Sequence, residues 1–465
     1  MFLIVVLAIT TILVLVGLVG KAQKNKIGFF HPFCDAGGGG ERVLWVLIAG
    51  LLKAAKYLHY SIVIYSKEGL ELESVLAKVE DQFNITFTES EKRRISLVGL
   101  KKWGLLEAKR YPRLTLIAQS IGSAFVAIEA LRAQDPPEVF VDTIGFAFTF
   151  PIAKLLGCKR VVAYVHYPTI SSDMIGVVRG GVESFNNKGL VANSTLGRTA
   201  KLGYYKAFAF LYSFVGSYAD VILVSHLNEI WKLPKRTSVL YPPCDTKSLA
   251  SFELEGRQTV IVSVAQFRPE KAHRLQLESL QLLINQHPEY RKGPKKLTLL
   301  FIGGVRNSTD QALAMSVRTQ SVELGIEDNV EILVNASYLD LKAWLGRASL
   351  GIHAMRDEHF GIGVVEYMAA GLITVAHNSG GPKMDIVNAD PRSPTGYLAT
   401  TKEEYASAIA TALSLSGKDQ IAIRKRARDS VLTRFSTKSF QEGFLTAVEG
   451  ILSVNEASAL QKKKE

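Results

Sequence analysis

From Ile27 onward, short apolar runs alternate with stretches of helical periodicity, and the alternation restarts once, after a pair of prolines. Residues 27–30 read as a strand. Residues 41–58 carry Val43, Val46, Leu47, Ala54 and Leu58 at helical spacing, and residues 61–65 read as a second strand. Strand, helix, strand is a β-α-β unit, which makes its two strands run parallel. Further strands are expected at 139–141, 160–165, 220–225, 259–265, 297–303, 330–333, 347–353 and 372–376, with helical segments between them. The break falls at Tyr241-Pro242-Pro243-Cys244-Asp245, where two prolines favour an extended connection. The expected fold is α/β, with two doubly wound, Rossmann-like domains at 27–240 and 241–436 and a terminal helix at 437–452. Ligands of such sheets lie beyond the carboxyl ends of the strands, so a cleft faced by both domains is the expected site.

Residues 1–20 contain no charged side chain and are rich in Leu, Val and Ile. As a helix they would rise about 30 Å, the thickness of a bilayer core. Lys21, Lys24 and Lys26 follow at once, which by the positive-inside rule leaves the bulk of the chain in the cytosol. A single-pass anchor is therefore expected; a cleaved signal peptide is disfavoured because no basic segment precedes the apolar run. The net charge of +12 and pI near 9.4 point to an anionic partner. No nucleic-acid-binding pattern is present, which leaves phosphorylated substrates and anionic lipid. Cys34, Cys158 and Cys244 are odd in number and far apart, which suits a reducing compartment. Residues 100–114 mix Lys and Arg with Trp103, Tyr111 and Leu114, a composition suited to a membrane interface. Residues 206–224, with Phe208, Phe210, Leu211, Tyr212 and Phe214, suit either that interface or a buried helix and strand.

The strongest chemical signal is Glu358-His-Phe360-Gly361-Ile362-Gly-Val-Val-Glu366, in which two acids bracket a Gly-x-Gly at the entry to a helix of small residues. Carboxylates accept hydrogen bonds from sugar hydroxyls. Open N–H groups at a helix start suit a diphosphate, and glycine admits close approach to the backbone. Gly37, Gly38, Gly39 and Gly40 open an earlier helix in the same manner, though without a dinucleotide or P-loop spacing. Arg268 and Lys271 follow the first strand of the second domain, where fixed cations can stabilise a departing nucleoside diphosphate without a metal. His166 and, more weakly, Asp142 stand at strand ends of the first domain. Gly380, Gly381 and Lys383 lie in a turn-rich loop after the strand at 372–376. Asp-x-Asp, His-Glu-x-x-His and Gly-x-Ser-x-Gly are all absent, so metal-dependent transferase and common hydrolase chemistries lack their parts.

The paired glutamates resemble the motif of retaining GT-B glycosyltransferases. Four longer strings narrow the likeness: residues 31–45, residues 164–173, Gln266-Phe-Arg-Pro-Glu-Lys271 and His377-Asn-Ser-Gly-Gly-Pro-Lys383. With them the chain is similar to the GDP-mannose-dependent α-1,2-mannosyltransferases of asparagine-linked glycosylation. That resemblance implies GDP-mannose as donor, a dolichol-linked trimannosyl oligosaccharide as acceptor, and no metal cofactor. It also implies residence on the cytosolic face of the endoplasmic reticulum membrane, beside other mannosyltransferases of the early pathway. By the same resemblance Glu366 binds the ribose, Glu358 and His166 the mannose, Arg268 and Lys271 the diphosphate, and the Gly37 to Gly40 loop lines the reacting centre. Two alternatives stay open on the residues themselves. One is a membrane-associated GT-B enzyme using another sugar nucleotide; the other is a sugar-nucleotide-binding subunit without turnover.

Overall fold

The computed structural model describes residues 21–166, 195–225 and 234–452; the expected anchor at 1–20 and residues 167–173 of the motif after His166 lie outside them. The chain divides into two compact units. One comprises Met1–Leu240 with Gln441–Glu465, the other Tyr241–Phe440. The closing helix Thr437–Val448 therefore spans the division, and from Gln441 onward it belongs to the first unit. There the Gln441 amide donates to the carbonyl of Val46 at 3.0 Å.

The first unit is a seven-stranded parallel sheet in the order β3-β2-β1-β4-β5-β6-β7. The strands are β1 Gln23–Phe30, β2 Ser61–Lys67, β3 Ile95–Leu100, β4 Pro137–Asp142, β5 Arg160–Val165, β6 Val221–Val224 and β7 Thr237–Val239. Helices cover both faces of a doubly wound sheet, so its central strands are apolar along their length. Val161, Val162, Ala163 and Tyr164 are all buried. The helix Gly39–Lys53 is shorter than its periodicity suggests: Ala54 turns extended, and Ala55–Tyr57 continues only as a single 3-10 turn. Trp45 anchors this helix, its indole donating to the carbonyl of Cys34 at 2.9 Å.

The two greasy segments resolve differently. Residues 100–114 form two short turns, in which Trp103 packs edge-on against Phe33 and the Tyr111 hydroxyl donates to Leu105. Both aromatic rings are thus held by the fold, and the basic side chains face solvent together with Leu114. Residues 206–224 fall on the helix Thr195–Gly216 and on β6. That helix buries Tyr205, Phe208 and Tyr212 and exposes Phe210, Leu211 and Phe214.

The second unit repeats the arrangement with six parallel strands in the order β10-β9-β8-β11-β12-β13. These are β8 Gln258–Val264, β9 Thr298–Gly303, β10 Val330–Val334, β11 Ala348–His353, β12 Ile373–His377 and β13 Tyr397–Ala399. In both sheets the order reverses beside the first strand, between β1 and β4 and between β8 and β11. Such a switch point splays the flanking connections apart and leaves a crevice at the carboxyl ends.

The helix Ile362–Ala370 connects β11 to β12 and is bounded by two left-handed glycines, Gly361 at φ 99 and Gly371 at φ 85. Gly371 closes it with the bonds expected of a glycine stop: its N–H donates to Met368 at 3.1 Å, and that of Leu372 donates to Tyr367 at 2.9 Å. Two arginines hold the last carbonyls. Arg257 donates to Ala370 at 2.6 Å and Arg428 to Ala369 at 2.9 Å, placing cations at the negative end of the helix dipole. Tyr367 packs against Gly351, where a Cβ would fall 2.5 Å from its Cγ, and its hydroxyl accepts from the N–H of Val264 at 2.6 Å. Tyr367→Phe should leave that N–H unpaired at a cost of about 1–3 kcal/mol. Thermal unfolding should show a lowered Tm, by about 2–4 °C for each kcal/mol lost.

Candidate active site

At the switch point of the second unit, the chain leaving β8 meets the chain leaving β11. Arg268, Pro269, Glu270 and Lys271 form a turn that ends on Ala272, a left-handed non-glycine residue at φ 50. After β11 the chain turns on Asp357, also left-handed at φ 54. Strain of this kind persists only where the surroundings fix it. Here the Asp357 N–H donates to the Ser379 hydroxyl at 2.8 Å, and the Gly381 N–H donates to the carbonyl of Glu358 at 2.7 Å. Gly381 lies against the backbone so closely that a Cβ would sit 2.6 Å from the Cα of Phe360. The glycines at 380 and 381 thus bring two loops together; Lys383 is exposed on the turn Pro382–Ile386 that follows.

Glu358 is the centre of this arrangement. Its Oε2 lies 2.8 Å from the Lys271 ammonium and 3.3 Å from Nε2 of His353. Burial would raise its carboxyl pKa, but the hydrogen bond from His353 and the charge of Lys271 prevail and hold it at about 2. Lys271 also touches the Met355 sulfur at 3.0 Å. Arg268 is more exposed and lies 3.6 Å from Glu270. Glu366 stands partly exposed on the helix Ile362–Ala370, next to the buried Tyr367. Phe360, expected from the sequence to bind the donor, is packed within the second unit. Its ring is buried, stacked on Tyr241 at 5.7 Å and edge-on to Phe435 at 5.2 Å, so it contributes packing. Gly361 and Ile362 offer backbone at a helix start that has no side-chain cap.

The first unit brings its own residues together at the equivalent place. Buried His31, just past β1, reaches Thr143, just past β4, with Nδ1 to Oγ1 at 2.7 Å. Its Nε2 lies 3.3 Å from Glu41, whose other oxygen accepts the Gly38 N–H at 2.6 Å. That N–H is therefore occupied, which leaves Gly39 and Gly40 as the open part of the loop. His166, at the end of β5, donates from Nε2 to the carbonyl of Thr143 at 3.0 Å, since a carbonyl only accepts. Burial, with the nearby His31, lowers its pKa to about 4, so the ring is neutral with Nδ1 as its acceptor nitrogen. Asp142 is wholly buried and accepts from the N–H groups of Ile144 and Gly145, at 3.4 and 2.7 Å. It shapes the Thr143 turn and is screened from any ligand. Sequence reasoning missed His31, Glu41 and His353 as site residues; their only signal was a polar side chain at a strand exit or a helix start.

Two family models divide the chain. ALG11 mannosyltransferase N-terminus matches residues 24–231, and Glycosyl transferases group 1 matches residues 245–430. The chain is 42% identical to the Mus musculus protein named GDP-Man:Man(3)GlcNAc(2)-PP-Dol alpha-1,2-mannosyltransferase, over 93% of this chain and 88% of that one. The Homo sapiens and Dictyostelium discoideum proteins of the same name are also 42% identical, over 92% and 93% of this chain and 88% and 86% of their own. The chain belongs to this mannosyltransferase family. Among solved structures, Anabaena HepE with UDP and glucose covers 92% of this chain and 100% of its own at TM-score 0.59 and 14% identity. Sucrose-phosphate synthase from Thermosynechococcus elongatus covers 92% and 99% at TM-score 0.62 and 15% identity. These likenesses are of fold, the two Rossmann-like units of GT-B enzymes.

Because Gly381 seats the loop that carries Glu358, Gly381→Ala should push that loop out of place. The expected loss in kcat/KM for the sugar-nucleotide donor is about tenfold or more. Gly203→Ala, where a Cβ meets nothing within 4 Å, serves as the control and should retain parent activity in the same assay.

Proposed function

We infer that the protein transfers mannose, with retention, from GDP-mannose to the trimannosyl oligosaccharide on dolichyl pyrophosphate. The observation that carries this is the joining of Lys271 and an ionised Glu358 across the switch point, directly ahead of the helix bearing Glu366. Family membership supplies the donor and the acceptor named for the relatives. In this reading Glu358 accepts from mannosyl hydroxyls, Glu366 from the ribose, and Lys271 and Arg268 face the diphosphate. Donor and product are both α-linked, so attack comes from the face the phosphate leaves. The bond from C1 to the phosphate oxygen breaks, the bond from C1 to the acceptor oxygen forms on the same side, and the departing phosphate takes the acceptor's proton. Fixed cations opposite a growing negative charge then supply much of the rate.

The test is turnover of radiolabelled sugar nucleotides by the purified full chain, with a synthetic lipid-pyrophosphate trimannosyl acceptor. GDP-mannose should be consumed, uridine-linked sugars should not, and EDTA should leave the rate unchanged. Binding without transfer would instead support the non-catalytic alternative. Glu366→Ala should remove a charged hydrogen bond worth about 1.5–3 kcal/mol. That is a loss of about tenfold or more in kcat/KM for GDP-mannose, with the thermal unfolding curve unchanged. Parent-like efficiency in that variant would refute the ribose assignment.

We further propose that the enzyme works on the endoplasmic reticulum membrane, anchored by residues 1–20 with its catalytic units in the cytosol. Among the described residues no helix is long and apolar enough to cross a membrane, so the anchor rests on the sequence. A second contact is supported by the helix Thr195–Gly216, where Phe210 is 74% and Phe214 58% exposed beside exposed Lys206. Ile121 and Phe125 on the helix Thr115–Arg132, preceded by Arg113 and Leu114, are exposed in the same unit. Burying one such apolar side chain yields about 1.5–3 kcal/mol, and each basic residue near anionic lipid adds about 1 kcal/mol. A chain lacking residues 1–20 should float with anionic liposomes at low salt and less so at high salt. Phe210→Asp with Phe214→Asp should reduce flotation. If the truncated chain stays wholly in solution, residues 1–20 alone hold the enzyme at the membrane.

A further inference from the structure

His353 has no place in the roles given above. It is the last residue of β11, 93% withdrawn from solvent, with its own carbonyl fixed by the Tyr405 hydroxyl at 3.0 Å. Its Nε2 lies 3.3 Å from Oε2 of Glu358. A carboxylate can only accept, so Nε2 carries the proton. The other ring nitrogen, Nδ1, is buried with no hydrogen-bond partner among the described residues. An imidazole placed so bears a desolvation cost that an apolar side chain would avoid. What it does in return is act on Glu358, and it does so on the same oxygen that Lys271 uses.

We propose that His353 is a positioning residue for Glu358, holding Oε2 so that Oε1 is presented to the transferred sugar. The inference rests on Glu358 being the carboxylate that meets the mannose. It also answers a conflict within the site. Lys271 serves both Glu358 and the donor diphosphate, and phosphate charge draws its ammonium away from the carboxylate. His353 carries no such second duty and keeps its grip when Lys271 turns. The other titratable and charged groups around the carboxylate are few. Lys271, Arg268 and Glu270 come from the turn after β8, and Arg356 and Asp357 from Glu358's own loop. His377 stands at the end of β12 within the field of Asp357, His353 and Glu404 of the helix Lys402–Ser414. Without His353, burial acts against the charged carboxylate with only Lys271 opposing it. The carboxyl pKa then moves upward, and Glu358 takes up a proton at a higher pH than in the parent.

The experiment compares the full-chain parent with His353→Ala, His353→Leu, His353→Gln and Glu358→Gln, each confirmed as folded by thermal unfolding. kcat/KM for GDP-mannose is measured from about pH 5 to about pH 8. Alanine and leucine should both raise the acid limb of the profile, with a loss of about tenfold or more at its low end and an unchanged acceptor KM. Leucine fills the imidazole's space and reports the same effect if the alanine variant fails to fold. Glutamine returns an N–H at the distance of Nε2 and should restore the parent profile to within about threefold. A parent-like profile in the alanine or leucine variant, or a uniform loss that glutamine does not restore, overturns the positioning role. If Glu358→Gln keeps parent efficiency, Glu358 does not bind the sugar and both assignments fall; if it is inactive while His353→Leu is unaffected, only the role of His353 falls.

Discussion

Glu358 is a carboxylate taken largely out of water at the crevice of a parallel sheet, and two donors that converge on one of its oxygens favour its ionised form. Those donors come from different strand ends, Lys271 after β8 and His353 at the close of β11. The strand order places those ends side by side, so the charge pair is a consequence of topology as much as of sequence. The surrounding loop is shaped to hold it: Asp357 in the left-handed region, Ser379 on its N–H, and Gly381 pressed against the backbone at 358–360. At the far end of the next helix, Arg257 and Arg428 secure the last carbonyls. That leaves the uncapped, positive start of the helix at the site, where an anionic ligand suits it.

The first unit solves the same geometric problem with different chemistry. Its sheet has the same reversal, and His31 and Thr143 join across it as Lys271 and Glu358 do in the second. What the contact secures is backbone. Asp142 fixes the turn that presents Thr143, the Thr143 carbonyl accepts a hydrogen bond from His166, and His31 steadies Glu41 against the Gly38 N–H. A glycine loop has little intrinsic preference for one conformation, so a carboxylate reaching back from the first helical turn supplies one.

Much of this was legible in the sequence, for a physical reason. Parallel strands buried on both faces must be short apolar runs, so the alternation and its restart after Pro242-Pro243 announced two Rossmann-like units. Glu358, Glu366, Arg268 and Lys271 stood out because charge at strand exits and helix starts is costly unless used. The pairings that finish the site were not legible. His31 meets Thr143 across 112 positions and Lys271 meets Glu358 across 87, and no local pattern encodes either contact. The packing of Phe360 was hidden for the same reason: the rings against it, Tyr241 and Phe435, are remote in sequence. The contacts of Trp103 and Tyr111 were hidden as well, since amphipathic composition does not reveal which side of an aromatic residue the core will take.

The protonation states also bear on which group takes the acceptor's proton. A general base works best with a pKa near the operating pH. Glu358, held at about 2, is a poor base, and the ion pair that makes it a firm hydrogen-bond acceptor is what makes it so. His166, lowered to about 4 by burial, is little better, and its Nε2–H is committed to Thr143. Asp142 is raised to about 7 by burial, but it lies wholly inside the first unit on the N–H groups of Ile144 and Gly145. A departing phosphate, whose second ionisation lies near 6, is a stronger base than either Glu358 or His166. It also gains basicity as the bond to C1 lengthens. In the reaction proposed above, these protonation states leave the acceptor's proton to the leaving group.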